Sequence, residues 1–111
     1  MNHIMHLDKE QFNSIKNGTK TIEMRLFDDK RRNMSIGDEI TFISRFNDEK
    51  IDCLITNLYT YDNFEQLYKN HDKKDLGYNE DDIASPADMN LYYSYEQQLK
   101  YGVIAIEIKL K

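Results

Sequence analysis

The stretch Asn17–Asn33, NGTKTIEMRLFDDKRRN, decides the fold that the sequence predicts. Asn17-Gly18 has the composition of a helix C-cap, so it closes the short helix predicted from Lys9 to Lys16. Beyond the glycine, Thr19 to Leu26 alternates between polar and apolar residues, which predicts a strand with one face in the core. The segment DDKRRN that follows contains no apolar residue, and we expect it to be a loop.

Further elements flank this stretch on both sides. HIMHL at the N-terminus predicts an opening strand, and EITFISRF and IDCLITNLYTY predict two strands joined by a hairpin at NDEK. NFEQLYKNH has helical spacing, KKDLGYNEDDIASPADM is polar with at most short helical turns, and Leu91–Leu99 is compatible with a helix. GVIAIEIKL has the composition of a central strand. The order β-α-β-β-β-α-(α)-β, with an antiparallel meander, predicts an α+β fold: a small, partly open, mixed or antiparallel β-barrel with helices over one opening.

The length and composition restrict the class of protein. A chain of 111 residues is expected to form one domain, residues 1–111, with a single core. Its net charge of −5 argues against duplex-wide nucleic-acid binding but is compatible with a local basic site. The single cysteine, Cys53, lies in an apolar run and is expected to be buried. Because there is no disulfide, signal peptide or long apolar run, we expect a cytoplasmic protein without membrane contact, monomeric by default.

Six cations lie between Lys16 and Asn33 of this acidic chain. Lys20 falls at the helix–strand junction, where its side chain can turn into a cleft, and Glu23 and Arg25 share a strand face with Thr21. A lysine, a carboxylate and an arginine at this spacing can bind an anion or a polar heterocycle, or carry out acid–base chemistry after burial. A solvated row of salt bridges is the alternative interpretation.

Three segments resemble one protein family. Gly18 to Arg25, GTKTIEMR, resembles the G-x-K-x-x-E-x-R signature of ASCH domains, a family similar in fold to PUA domains. Ser35–Ile40, SIGDEI, resembles the family's G-D turn before a strand, and YYSYEQ followed by YGVIAI resembles its C-terminal part. The three matches keep the family's order and span nearly the whole chain.

The resemblance implies a PUA-like β-barrel with a cleft between the barrel and the helices. Such a cleft is expected to bind RNA or a modified nucleoside or nucleotide without a cofactor or metal. Lys20, Glu23 and Arg25 occupy the motif positions and are the main ligand-binding candidates. Thr21, Tyr93 and Ser94 are further candidates.

A hydrolase is the alternative that the resemblance implies. Some small bacterial ASCH proteins remove the acetyl group from N4-acetylcytidine with a lysine, a threonine and a downstream glutamate. Lys20 matches the lysine, but Glu23 stands at the threonine position, with Thr21 two residues away. Lys20 and Glu23 are then the catalytic candidates, and Asp75 or the region of Glu80 is the candidate acidic partner.

The remaining candidates each have two interpretations. Lys30, Arg31 and Arg32 are either part of a positive cleft rim or a solvated turn. The tyrosines near the C-terminus either stack on a base or fill the core; they are Tyr92, Tyr93, Tyr95 and Tyr101. The acidic segment Asp72–Asp88 keeps a protein-interaction domain open as a third function, which an exposed apolar groove there would favour.

Overall fold

The computed structural model describes all residues from 1 to 111. The five strands are β1 (Asn2–Leu7), β2 (Ile22–Leu26), β3 (Glu39–Ser44), β4 (Lys50–Tyr61) and β5 (Val103–Leu110). The four α-helices are α1 (Lys9–Lys16), α2 (Asp29–Arg32), α3 (Phe64–Asn70) and α4 (Tyr95–Tyr101), and a 3₁₀ helix spans Pro86–Leu91. None of the helices is both long enough and apolar enough to cross a lipid bilayer.

The strands form one curled, half-barrel sheet in the order β1-β3-β4-β5-β2. The β1–β3 pair is parallel, and the other three pairs are antiparallel. The long strand β4 changes register between Ile55 and Asn57, and such an irregularity increases the local bend of a strand. The α+β fold and the mixed, partly open barrel with helices packed over it are therefore confirmed.

Side chains pack on both faces of the sheet. Strand β5 has partners on both sides, which confirms its predicted central position. Its Ile104, Ile106 and Ile108 belong to a core beneath α1, whereas Val103 and Ala105 belong to a second core under α3 and the 3₁₀ helix. Both residues of the second set are fully buried, so the sheet has two cores and not the single one expected.

Three predictions about local structure are wrong. The expected loop DDKRRN contains α2, a single helical turn that begins because the Asp28 side chain accepts a hydrogen bond from the backbone N–H of Arg31. Strand β2 begins at Ile22 and not at Thr19, because the backbone N–H groups of Thr21 and Ile22 both donate to the carbonyl of Asp75. The meander is also incomplete, since β2 pairs with β5 and not with β3.

The helix considered for Leu91–Leu99 is divided into two elements. The 3₁₀ helix ends at Leu91, and α4 begins after Ser94. Ser94 accepts a hydrogen bond from the N–H of Gln97, and the Gln97 side chain accepts one from the N–H of Ser94, which completes a capping box. The cap therefore starts α4 at Tyr95, four residues after the start of the predicted helix.

Candidate functional site

A cleft of about 530 Å³ opens between α1 with β2 on one side and the chain from Tyr68 to Tyr93 on the other. Its volume lies in the range of pockets that bind small molecules. Of the six ligand-binding candidates that the resemblance implied, four line it: Lys20, Glu23, Arg25 and Tyr93. Three of them come from one edge of the sheet and the fourth from the chain between the 3₁₀ helix and α4. The fold therefore brings together candidate residues that are distant in sequence.

Lys20 is held in the floor of the cleft by the end of α1. After Gly18 turns the chain, the backbone N–H of Lys20 donates to the carbonyl of Ser14, which aims the lysine away from solvent. The side chain is only 4% exposed, and its ammonium donates to Gln11 Oε1 at 2.5 Å and to Glu23 Oε1 at 2.9 Å. The predicted turn of Lys20 into a cleft is therefore what the structure shows.

The carboxylate of Glu23 accepts four hydrogen bonds within the protein. Oε1 accepts from Lys20 Nζ and from the backbone N–H of Met24, at 2.9 and 3.2 Å. Oε2 accepts from Nε and Nη2 of Arg25, at 3.1 and 2.9 Å. A carboxylate has about four lone-pair positions, so Glu23 has no acceptor position left for a ligand or a water molecule.

The pKa of Glu23 follows from these contacts. Burial by itself raises the pKa, but the charges of Lys20 and Arg25 and their hydrogen bonds outweigh that effect, so the pKa lies below its usual 4.5. Glu23 is therefore an ionised group at neutral pH and a weak base. Its position suits it to hold two cations in place and does not suit it to take a proton from water.

The floor of the cleft retains unused hydrogen-bond donors. Lys20 uses two of its three N–H groups, which leaves one. Arg25 uses Nε for Glu23 and Nη2 for both Glu23 and the carbonyl of His6, which leaves the two N–H groups of Nη1. The floor is thus rich in donors, and it fits a ligand that presents acceptors.

Tyrosines form the walls of the cleft. Tyr93 stacks on Phe64 with ring centroids 6.0 Å apart, so one face of its ring is already covered. Tyr92 is 55% exposed and lines the same cleft. On the same side of the cleft, the hydroxyl of Tyr78 bonds to Tyr68 and to Asp88 at 2.8 and 2.7 Å. Burial and these two partners raise the pKa of Tyr78 far above its usual value, so its hydroxyl stays protonated.

Acidic and basic residues line the cleft in similar numbers, so the cleft as a whole is not positive. Four Lys or Arg residues line the cleft, but five Asp or Glu residues line it as well. Each of the four cations also has a carboxylate partner; the pairs are Lys20–Glu23, Arg25–Glu23, Arg31–Asp28 and Arg45–Asp8. Of the three predicted rim cations only Arg31 lines the cleft, and Arg32 packs instead over the ring of Phe27, 4.4 Å from its centroid.

Several predicted site residues do not line this cleft. Thr21 faces a smaller depression of about 200 Å³ on the other side of Lys20. Ser94 is occupied as the cap of α4. Asp75 contributes its backbone carbonyl to Thr21 and Ile22, and neither it nor Glu80 is among the lining residues. Neither candidate for the acidic partner of a hydrolase therefore lies in the cleft.

The sequence did not point to several of the lining residues. Gln11 bonds to the ammonium of Lys20, yet an exposed-looking glutamine in a short helix carries no signal of that contact. Tyr78, Asp82 and Asp88 were part of a polar segment without periodicity, and only the folding of that segment over α1 and β2 brings them to the cleft. No local pattern identifies such contacts, because the partners are distant in sequence.

The apolar groove expected of a protein-interaction domain is not present in Asp72–Asp88. Ile83 is the one large apolar side chain exposed in that segment, at 90%. Single exposed apolar residues are ordinary on protein surfaces. The condition set for the third function is therefore not met.

Comparisons with known proteins agree with this architecture. A family model of the ASCH domain matches residues 5–111. The crystal structure of the hypothetical protein PH0355 superposes with a TM-score of 0.85 at 30% identity over 100% of both chains. The solution NMR structure of protein PF0455 from Pyrococcus furiosus gives a TM-score of 0.74 at 29% identity, covering 99% of this chain and 97% of that one. No curated protein matches the chain significantly.

More distant ASCH proteins share the fold. The crystal structure of ASCH from Zymomonas mobilis gives a TM-score of 0.67 at 14% identity, over 97% of this chain and 66% of that one. Since the family match leaves out only the first four residues, and since the curled sheet agrees with structures of the same family, the resemblance seen in the sequence is confirmed. The chain belongs to the ASCH domain family.

Proposed function

We propose that the protein binds a nucleoside, either free or as an unpaired base of an RNA chain, in the cleft around Lys20, Glu23 and Arg25. The unused donors of Lys20 and Arg25 in the floor are the observation that carries the proposal. Together with the tyrosine walls they fit a flat heterocycle with acceptor atoms on its edge. The ASCH family is thought to bind RNA, which agrees with this proposal.

The polarity of the floor favours a pyrimidine of the cytosine type. Cytosine presents O2 and N3 as neighbouring acceptors, which match N–H donors from Lys20 and Arg25. Proteins that recognise single-stranded RNA read such edges while an aromatic ring stacks on the base. Tyr92 is the stacking candidate, because it lines the cleft and the residue is more than half exposed.

The mixed charge of the cleft separates this proposal from the binding of a long RNA duplex. Binding along a polyanion needs many unpaired cations, whereas the cations here have carboxylate partners. A single base or nucleotide needs only a few donors. The proposal is therefore limited to one recognised unit, with any flanking RNA lying outside the cleft.

Hydrolysis of N4-acetylcytidine is the alternative, and the geometry gives it less support. The four hydrogen bonds to Glu23 leave it no free lone pair with which to activate water. The candidate partner Asp75 lies outside the lining of the cleft. An added acetyl group supplies a further carbonyl acceptor, so N4-acetylcytidine remains a suitable ligand without being a substrate.

The first test measures binding of cytidine, N4-acetylcytidine and uridine by isothermal titration calorimetry. We expect Tyr92→Ala to weaken binding of the preferred nucleoside, because stacking of a base on an aromatic ring contributes about 1–3 kcal/mol. Tyr95→Ala is the matched control: Tyr95 is 70% exposed but does not line the cleft. Equal affinities of the Tyr92→Ala, Tyr95→Ala and unmodified proteins would contradict the stacking role.

A second pair of variants tests the floor. Lys20→Ala is expected to reduce the affinity about 10- to 100-fold, since a hydrogen bond to a charged group contributes about 1.5–3 kcal/mol. Lys16→Ala is its control, because Lys16 is exposed and pairs with Glu49 away from the cleft. A parallel assay follows the release of acetate from N4-acetylcytidine. Turnover that is lost in Lys20→Ala would assign the hydrolase alternative and overturn a function of binding alone.

A further inference from the structure

Arg31 differs from its two basic neighbours in where its guanidinium lies. It is the only one of Lys30, Arg31 and Arg32 that lines the cleft. Asp28 holds it twice, since this carboxylate accepts from the backbone N–H of Arg31 and, at 3.0 and 3.2 Å, from its Nη1. Asp28 itself is not among the lining residues, so it supports the guanidinium from behind.

The guanidinium of Arg31 is only partly used by the protein. Its Nη2 donates to no protein group, and its Nε is buried without any hydrogen-bond partner. A buried donor without a partner costs about 1–3 kcal/mol. An arginine kept in place at such a cost, with one end directed to a cleft, is better explained by a ligand than by stability.

Tyr93 lines the cleft together with Arg31 and Arg25. Its hydroxyl makes no hydrogen bond in the protein, although the residue lines the cleft. Burial raises the pKa of Tyr93; the charges of Arg25 and Arg31 act against that rise, whereas those of Glu23 and Asp28 add to it. Three sets of donors that the protein leaves unused therefore line one cleft: those of Arg31 Nη2, Arg25 Nη1 and the Tyr93 hydroxyl.

The charge of this corner differs from that of the whole cleft. The three cations Lys20, Arg25 and Arg31 are paired with only two carboxylates, Glu23 and Asp28. One positive charge is left over in a partly buried place, where charge-assisted hydrogen bonds to an oxyanion are strong. The remaining acidic lining residues do not take part in these ion pairs.

We infer that Arg31, Arg25 and Tyr93 form a phosphate subsite beside the base-binding floor, so that the preferred ligand is a nucleotide unit and not a free nucleoside. This inference rests on the proposed function, which concerns the base, and it adds the phosphate group of the ligand. The shared chemistry is a phosphate ester, which either a mononucleotide or the phosphodiester of an RNA chain supplies. Lys30 and Arg32 lie outside the cleft, so we expect a single phosphate to bind and not a continuous track of them.

The test compares nucleosides with their phosphate esters. Cytidine and N4-acetylcytidine are titrated calorimetrically with and without a 5′- or 3′-phosphate, beside inorganic phosphate and a trinucleotide with cytidine at its centre. One charge-assisted contact gives the phosphate ester about a tenfold advantage in affinity over the nucleoside. We expect that advantage to shrink with added salt. A preference for the trinucleotide over both monophosphates identifies RNA as the source of the phosphate, and the reverse preference identifies a free nucleotide.

Two variants and one control locate the effect. Arg31→Gln is expected to abolish the advantage of the phosphate ester while affinity for the nucleoside stays within about twofold. Arg32→Gln removes the same charge one residue away, outside the cleft, and is expected to retain the advantage. Tyr93→Phe removes only a hydroxyl without a protein partner, so it keeps the fold while reducing the advantage. Melting curves of each protein without ligand show whether Arg31→Gln is folded, and Tyr93→Phe carries the test if it is not.

The possible outcomes separate the two proposals. Equal affinities for nucleosides and their phosphates overturn the phosphate subsite and leave the nucleoside-binding function standing. An advantage that survives both Arg31→Gln and Tyr93→Phe also overturns the subsite. If none of the nucleosides, nucleotides or the trinucleotide binds, both proposals are wrong.

Discussion

Glu23 is the residue on which the floor of the cleft depends. Its side chain is 6% exposed and bridges Lys20 and Arg25, and every lone pair is used by a protein donor. Replacing both partners of a buried ion pair can be harmless, but removing one partner leaves the others buried and unpaired. The motif carboxylate thus acts as the structural centre that fixes two cations for a ligand.

Glu23→Gln tests this role through stability. The amide keeps the shape but turns an NH₂ group toward a cationic donor, so we expect a loss of about 3–5 kcal/mol in the free energy of unfolding, measured with urea. Glu49→Gln is the control, because Glu49 pairs with Lys16 at the surface and such pairs contribute about 0–1 kcal/mol. Equal losses in the two variants would show that the buried network contributes no more than a surface pair.

We also expect the stability difference between the unmodified protein and Glu23→Gln to depend on pH. The folded-state pKa of Glu23 is lowered, so its ionised form stabilises the fold above pH 4.5, and that contribution is lost as the pH falls through the folded pKa. The stability difference between the unmodified protein and Glu23→Gln should therefore be largest near neutral pH and shrink below pH 4.5. Asp38, whose pKa a hydrogen bond from His3 lowers to about 2, titrates in both proteins and cancels in the comparison. A difference that does not change with pH would contradict the prediction.

The burial of Cys53 could be predicted from the residues around it. It was expected to be buried, and it is fully buried in the core next to Ile55. Burial, with a smaller effect of the Asp52 charge, raises the pKa of the thiol to about 11, so the thiolate is scarce at neutral pH. Burial of an apolar run is a property that composition alone indicates well.

At the scale of elements, α2 and α4 are defined by their caps. Both are short, and helices of this length are not stable by propensity alone. Asp28 and Ser94 each accept a hydrogen bond from the backbone N–H three residues later. In α2 the same cap also directs Arg31, so one carboxylate starts the helix and positions a cation of the cleft.

Ser94→Ala tests whether Ser94 is a cap or a ligand contact. Loss of an N-cap costs about 0.5–2 kcal/mol, and we expect a decrease of this size in the free energy of unfolding, with nucleoside affinity unchanged. Ser94→Asp is the matched variant, because aspartate is also a good cap and should retain stability. Weakened binding in Ser94→Ala without a loss of stability would restore the ligand-binding role that the resemblance implied.

At the scale of the whole molecule, the cleft exists because the segment after α3 folds back over α1 and β2. The carbonyl of Asp75 accepts from Thr21 and Ile22, and Gly77 packs against the side chain of Lys20. A Cβ atom at Gly77 would lie 3.1 Å from Cδ of Lys20, and the φ of +105° is one that other residues rarely adopt. The wall and the floor of the cleft are thus in direct contact.

Two glycine variants separate backbone strain from this contact. Gly77→Ala and Gly18→Ala both place alanine at positive φ, which costs about 1–2 kcal/mol, and we expect unfolding free energies to fall by similar amounts. Only Gly77→Ala also crowds Lys20, since nothing lies within 4 Å of a Cβ at Gly18. Nucleoside affinity should therefore fall in Gly77→Ala and stay unchanged in Gly18→Ala. Equal affinities in the two variants would contradict the coupling of wall to floor.

The sequence by itself determined most of the elements, the central strand and the grouping of Lys20, Glu23 and Arg25 in one short segment. These follow from short-range causes: the glycine that ends α1, the alternation along β2 and the apolar β-branched run of β5. The three motif residues lie within six positions, so their proximity required no knowledge of the fold. The family resemblance extended this local information to the barrel.

Only the tertiary structure decided how these parts meet. The parallel β1–β3 pair, the position of β2 beside β5, and the covering of Lys20 by Gly77 all join residues far apart in sequence. It also decided that Arg31 and not Arg32 lines the cleft, and that every lone pair of Glu23 is used. These contacts depend on many interactions between residues that are distant in sequence, so no local pattern of residues predicts them.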